Sequence, residues 1–322
     1  RDDVESRGLG DVYKRQLPGA CAQGLIWGIM AIGVYITYRI LDVADLTVDG
    51  SLGTGGAVCV VLVLNGVPVG VALVAATLVG MLAGLVTGLF HTACGIPAIL
   101  AGILTQLALY SINLRIMGTG TGGGKANLPI SVDKYSLLVS ARYVRALALN
   151  NPIFVLLIFC AVLIGVLYWF FGTELGCAIR ATGSNPAMSR AQGINTSFNV
   201  VLGLAVSNGL VALSGALLSQ YQGFADVSMG RGAIVIGLAA VIIGEAVFGR
   251  IFQNFALKLV SVSLGAIIYY IVIQLVLTLG FDANLLKLLS ASVVAIFLAV
   301  PYWKSRYFAK PTAKKKEGAK NA

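Results

Sequence analysis

Charge is scarce in this sequence. Only 11% of its 322 residues are Asp, Glu, Lys or Arg, 58% are apolar, and the mean hydropathy is +0.89. Water-soluble domains carry about a quarter charged residues, and a disordered chain could not keep so much apolar surface solvated. The composition therefore excludes both classes and predicts a membrane protein that crosses the bilayer several times.

Side chains that bind metals or perform catalysis are equally sparse. The sequence has one histidine, His91, and five isolated cysteines, with no CxxC pair and no histidine at ligand spacing. It also lacks the G-x-x-x-x-G-K-[ST] loop that holds nucleotide phosphates. We predict no metal site, no disulfide framework and no catalytic residues, so the chain is expected to bind no cofactor itself and not to be an enzyme.

The two ends of the sequence are polar and differ from the apolar middle. Residues 1–16 carry four basic and four acidic side chains and resemble translated linker sequence, with a native extramembrane arm as the alternative. Basic residues recur after Pro301, as is typical of a cytoplasmic end. We expect a non-native or disordered arm at 1–16, a transmembrane domain at 17–302 and a basic cytoplasmic tail at 303–322. The tail would face lipid headgroups, and no nucleic-acid partner is expected.

Apolar segments long enough to cross the bilayer recur along the chain. Because a spanning helix needs about 20 apolar residues, we predict an all-α helical bundle with nine spans, eight or ten being possible. The predicted spans are 17–41, 46–64, 67–90, 96–117, 152–171, 198–220, 232–248, 255–279 and 285–300. The second and seventh are short and Gly-rich, which favours broken or re-entrant helices.

Two short motifs precede these two Gly-rich spans. Asp45-Leu-Thr-Val and Asp226-Val-Ser-Met each place an acid, an apolar residue and a hydroxyl before an apolar run. With the tail inside, residues 172–197 and the first motif lie inside, whereas residues 118–151 and the second motif lie outside. Such a pattern is typical of inverted repeats around a central pathway, although a four-residue match can also arise by chance.

The polar segment 173–195 has the features of two short helices. Residues 174–181 favour a helix, Gly183 can adopt the left-handed conformation that ends one, and Asn185-Pro186 can begin the next. The sequence predicts a helix-turn-helix that lies parallel to the membrane.

The same segment resembles a known family. Its pattern E-L-G-x-A-I-R-A-x-G-x-N-P, followed by G-I, is similar to the cytoplasmic coupling loop of permease subunits in ATP-binding-cassette importers of the branched-chain amino acid and ribose type. The strings L-D-V-A-D-L-T-V-D-G-S at 41–51 and L-T-Q-L-A-L-Y-S-I-N-L-R-I-M-G at 104–118 resemble the uncharacterised or aromatic-amino-acid (tryptophan/tyrosine-type) branch. The resemblance covers essentially residues 17–302.

This resemblance implies an importer subunit for an amino-acid-like solute in the bacterial cytoplasmic (inner) membrane. The implied partners are a cytoplasmic ATPase that carries ATP and Mg, an extracytoplasmic solute-binding protein and a second permease subunit, with a homodimer expected. The loop would transmit movement from the ATPase to the spans. Its implied coupling residues are Glu174, Leu175, Gly176, Ala178, Arg180, Ala181, Gly183, Asn185 and Pro186.

Polar residues within the spans are candidates for the substrate path. We expect the path to be lined by Thr47, Asp49, Gln106, Asn208 and Glu245. The neutral residues could instead tie helices together, and Glu245 could anchor a helix end. Two other functions stay open: import of a pentose, nucleoside or other small polar solute, and ion-coupled secondary transport through Asp49 or Glu245.

Overall fold

The computed structural model describes residues 2–119, 123–131, 134–135, 137–141, 151–249 and 251–278, and residues 288, 291–292, 294–296 and 299. Its helices are α1 (Asp2–Tyr35), α2 (Val48–Leu64), α3 (Val69–Thr92), α4 (Ala98–Met117), α5 (Pro152–Gly172), α6 (Glu174–Ser184), α7 (Pro186–Ala191), α8 (Thr196–Gln222), α9 (Ala233–Phe248) and α10 (Phe255–Thr278). A π-helical turn, Ile36–Ile40, extends α1, and strands β1 (Asn127–Pro129) and β2 (Phe224–Asp226) pair antiparallel. The predicted helical bundle is confirmed.

Six of the described helices, namely α1, α3, α4, α5, α8 and α10, are long and apolar enough to cross a membrane. The shorter apolar helices α2 and α9 coincide with the two spans predicted to be short. Eight of the nine predicted spans therefore match described helices. Most of the ninth, 285–300, and the whole tail, 303–322, lie outside the described residues. Helix α1 begins within the predicted arm at 1–16.

The bundle has a buried centre and an apolar periphery. Most residues of α1 from Leu17 onward and of α8 are buried, whereas α3, α4 and α5 expose many large apolar side chains. Glycines at 80, 84 and 88 of α3 bring its backbone against that of α8, where a Cβ would overlap the neighbouring helix. Because lipid provides no hydrophobic force between helices, such close packing of small residues holds the bundle together.

The two predicted repeats correspond to two similar units of structure. Helix α1 is followed by a first return segment (residues 42–47) and the short α2, and helix α8 by a second return segment (residues 223–232) and the short α9. The next long helix of each unit packs on the other unit: α3 lies against α8, and α10 against α1. The starts of α2 and α9 meet, because Asp49 of α2 accepts hydrogen bonds from the amides of Gly232 and Ile234.

Helices α2 and α9 run from this meeting point to opposite ends of the bundle. At the loop end, which carries α6 and α7, Glu245 near the end of α9 contacts Arg39. At the far end, which carries β1 and β2, the hydroxyl of Tyr135 donates to the carbonyl of Leu64, the last residue of α2. The units therefore have opposite directions, as inverted repeats require.

Candidate coupling and transport sites

The loop helices α6 and α7 begin at side-chain caps. The hydroxyl of Thr173 accepts from the amide of Gly176 at 3.4 Å, and the Asn185 side chain accepts from the amide of Met188 at 3.0 Å. Pro186 occupies the first turn of α7, where its missing N–H costs nothing. The prediction that Asn185-Pro186 begins a second helix is confirmed.

Gly183 has a different role from the one predicted. It lies within α6, which continues to Ser184, and it does not have a positive φ, so the expected left-handed cap is wrong. A Cβ at Gly183 would overlap the carbonyl oxygen of Ile40, at the end of the π-helical turn. The glycine is needed because the two backbones touch, and the left-handed turn of the loop is made instead by Gly193, at φ 80°.

Arg180 turns toward the bundle. Its guanidinium donates to the carbonyl of Phe171 at 2.9 Å, at the end of α5, and lies 5.6 Å from the ring centre of Phe255 on α10. Gly176 also packs against the end of α5, where a Cβ would overlap the backbone of Phe171. These two residues therefore fasten α6 to the bundle.

The opposite face of α6 is available to a partner. Glu174 is exposed, Leu175 is 48% exposed, and Met188 of α7 is 59% exposed. Ala178 and Ala181 are half-buried beside them. Large exposed apolar residues rimmed by charge are typical of an interaction surface.

The first return segment is fixed by a buried polar cluster. One Asp45 oxygen accepts from the amide of Thr47 at 2.9 Å and the other from the Asn208 side chain at 2.7 Å. The Asn208 oxygen in turn accepts from the hydroxyl of Ser51 at 2.7 Å. All four residues are at most 3% exposed. The cluster ties α2 to the middle of α8.

Three threonines extend this cluster to neighbouring helices. The hydroxyls of Thr47 and Thr87 are 2.8 Å apart, and Thr87 donates to Thr105 at 2.9 Å. The structure thus places Thr47 and Asn208, two residues predicted to line the path, where their polar atoms already have partners. This geometry corresponds to the alternative role, in which polar side chains tie helices together.

Asp49 and Gln106, two other predicted path residues, line one cavity of about 350 Å³. Asn113, Tyr110 and Arg231 also line it. The Asn113 side chain is 1% exposed, and its amide oxygen has no hydrogen-bond partner. The Arg231 guanidinium lies 5.8 Å from the ring centre of Tyr110. The cavity lies between α2, α4 and the second return segment, and its lining combines these polar groups with apolar side chains. Its size suits a small molecule.

Glu245, the fifth predicted path residue, lies at the loop end. Its carboxylate accepts from Arg39 at 2.9 Å, and the two side chains are 34% and 58% exposed. The pair connects the end of α9 to the π-helical turn. Glu245 therefore lies apart from the cavity that contains Asp49.

His91, the one histidine of the sequence, has a structural contact. Its Nδ1 lies 2.8 Å from the carbonyl oxygen of Ile96, across the turn between α3 and α4. The ring spans the short connection from Thr92 to Pro97, which contains the left-handed Gly95.

The family model for the permease component of branched-chain amino acid transport systems matches residues 18–300. The chain belongs to this permease family. It is 40% identical over 277 residues to a tyrosine transport system permease protein of Clostridioides difficile, covering 86% of this chain and 88% of the relative. An uncharacterized protein of Rickettsia prowazekii is 34% identical over 284 residues, covering 87% and 95%.

More distant relatives transport another kind of solute. The ribose import permease of Haemophilus influenzae is 26% identical over 264 residues, covering 82% of this permease and 75% of the relative. No solved structure matches the chain. The resemblance to a permease family, inferred from the loop pattern, is confirmed.

Sequence reasoning missed two residues of the permease that the structure brings to the cavity, Arg231 and Tyr110. A signal for Arg231 was present, since it directly precedes Gly232, the glycine at which the second short span begins. Tyr110 lies four residues after Gln106 and so on the same face of α4.

Proposed function

We propose that this permease is the membrane-spanning subunit of an ATP-driven importer for an amino-acid-like solute. The observation that carries the proposal is the position of α6. Its inner face is packed against the end of the π-helical turn at Ile40 and its outer face exposes Leu175. A force on that outer face would pass directly to the first return segment and, through it, to α2.

The energy would come from a separate cytoplasmic ATPase that binds ATP and Mg and docks on α6 and α7. Closure of the ATPase would move α6 as a rigid body, because Arg180 and Gly176 fasten it to α5 and α10. Such rigid-body motion is a common way to switch between two open states. The loop end would then be cytoplasmic, in a bacterial cytoplasmic membrane.

The other partners follow from the same proposal. A solute-binding protein would deliver the cargo to the far end, and a second copy of this chain would complete the transporter. The exposed apolar faces of α3, α4 and α5 offer area for lipid and for that second copy. The similarity to a tyrosine permease favours an amino acid as the cargo, and the similarity to ribose permeases makes a sugar the second candidate.

Charge reversal and polar substitution on the exposed face of α6 test the coupling. We expect Glu174→Lys and Leu175→Asp to abolish co-purification of the ATPase and ATP-driven uptake in proteoliposomes, while membrane insertion stays normal. Lys125→Glu, a charge reversal at the far end, is the matched control and should retain the ATPase. Uptake driven by an ion gradient without ATP, or an ATPase that stays bound to both loop variants, would contradict the proposal.

A further inference from the structure

We propose that the cavity between α2, α4 and the second return segment is a transit site for a zwitterionic amino acid with an apolar or aromatic side chain. The inference rests on the proposed function, because it assigns the cavity to the solute. It names a binding site inside the permease itself, separate from any site in a binding protein.

The first support is an unsatisfied group. The amide oxygen of Asn113 is buried in the cavity wall without a donor, although buried polar atoms nearly always have a partner. A solute that brings an N–H into the cavity would supply the missing hydrogen bond. Asp49 and Gln106 offer further acceptors on the same side. These three groups suit an ammonium.

The second support is the cation on another wall. Arg231 is exposed to the cavity, and among the described residues no carboxylate lies within ion-pair distance of it. Asp49, which also lines the cavity, forms no ion pair with it, and its oxygens accept from the Gly232 and Ile234 amides at the start of α9. A guanidinium pairs best with a carboxylate, often through two hydrogen bonds. The anion that it suits is the solute's carboxylate.

The third support is the apolar remainder of the lining. Tyr110 presents its ring beside Arg231, and Leu107 and Val227 complete the wall. An aromatic or aliphatic side chain would pack there. A sugar could satisfy the acceptors with hydroxyl groups but would leave the guanidinium without an anion. The lining therefore favours an amino acid over a sugar.

Direct binding of L-tyrosine tests this assignment. The permease would be isolated in nanodiscs with the ATPase that co-purifies with it, and binding of radiolabelled L-tyrosine measured by scintillation proximity without nucleotide. Replacing Arg231 by Gln should raise the Kd about tenfold, since a hydrogen bond to a charged group is lost. Arg231→Lys, which keeps the charge, should recover most of the affinity. Arg115→Gln, which removes an exposed cation of α4 outside the cavity, should leave the Kd unchanged.

Competition identifies the chemical class. Tyramine, which lacks the carboxylate, should compete about tenfold more weakly than tyrosine for the wild type, and D-ribose should not compete. Equal affinity of Arg231→Gln and wild type, or equal competition by tyramine or ribose, would overturn the assignment. Absence of tyrosine binding while ATP-driven tyrosine uptake persists would overturn the transit site alone. Tyrosine binding at the site without any ATP-driven uptake would instead overturn the proposed function.

Discussion

The two return segments carry the same local turn in different surroundings. In the first, Asp45 accepts from the amide of Thr47 at 2.9 Å, and in the second, Asp226 accepts from the amide of Ser228 at 2.6 Å. An Asp side chain that accepts from the backbone amide two residues later forms an Asx turn, which changes the direction of the chain. The shared Asp-x-hydroxyl motif thus encodes the same reversal of direction in both units.

The two acids, Asp45 and Asp226, differ in their surroundings. Asp45 is 3% exposed and its second oxygen accepts from Asn208, whereas Asp226 is half-buried and its second oxygen has a longer contact, 3.4 Å, with Asn127. Asp45 and Thr47 of the first return segment are enclosed in the bundle, whereas the second segment lies beside the cavity. Under the proposed function, the first segment transmits movement from the loop and the second meets the solute. Under that proposal, one turn sequence serves two roles, and the contacts around each copy determine which.

The largest expected effect comes from removing the first acid. Asp45→Ala leaves two buried donors without an acceptor: the amide of Thr47 and one N–H of the Asn208 side chain, whose amino group keeps only its hydrogen bond to the carbonyl of Leu204. At about 1–3 kcal/mol for each, the loss is about 2–6 kcal/mol of unfolding free energy. The matched variant Asp226→Ala should cost about 1 kcal/mol, because water can replace its partner. Unfolding in mixed micelles measures both. Equal losses would show that the two segments do not differ in the way described.

A smaller effect is expected at Gly183, where α6 touches the end of the π-helical turn. Gly183→Ala adds a methyl group against the carbonyl of Ile40 and should cost about 1–3 kcal/mol by overpacking. It should also lower ATP-driven uptake, since α6 would be displaced from the π-helical turn. Gly172→Ala, at the last residue of α5 with open space around its Cβ position, is the control. If both variants unfold and transport alike, α6 is not packed as described.

The smallest effect is expected from the ion pair that joins the units at the loop end. Both Arg39 and Glu245 are partly exposed, and exposed pairs of this kind contribute less than about 1 kcal/mol. Glu245→Gln should therefore change the melting temperature little, and the change should vanish at high salt because the pair is screened. A loss that persists in high salt would indicate that Glu245 has a role beyond this pair.

Much of the fold could be predicted from the sequence because apolar length and glycine content act locally. The predicted bounds of the short helices α2 and α9 lie within two residues of the observed ones. The start of α7 at Pro186 could be predicted because Asn185 is a favourable capping residue. Gly183 was misread because its sequence position fits a cap. The actual constraint is a contact with Ile40, which is far away in the sequence.

The candidate site was predicted only in part for a related reason. Thr47, Asp49, Gln106 and Asn208 are all polar residues within spans, and nothing local distinguishes a side chain that faces a cavity from one that ties two helices. Thr47 and Asn208 became members of a closed hydrogen-bond cluster, whereas Asp49 and Gln106 reached the cavity. The difference depends on which helices pack together.

The sequence by itself determined that this chain is a helical membrane protein with two short Gly-rich spans and a two-helix loop. Composition, hydrophobic length and capping residues fix these features, because each depends on neighbours within a few turns of helix. The tertiary structure decided that Asp45 is buried while Asp226 is not, and that Gly183 packs against Ile40. It also decided that Arg231, Tyr110 and Asn113 share a cavity with Asp49. Those outcomes depend on contacts between elements that are far apart in the sequence: the first return segment with α8, α6 with the π-helical turn, and α2 and α4 with the second return segment.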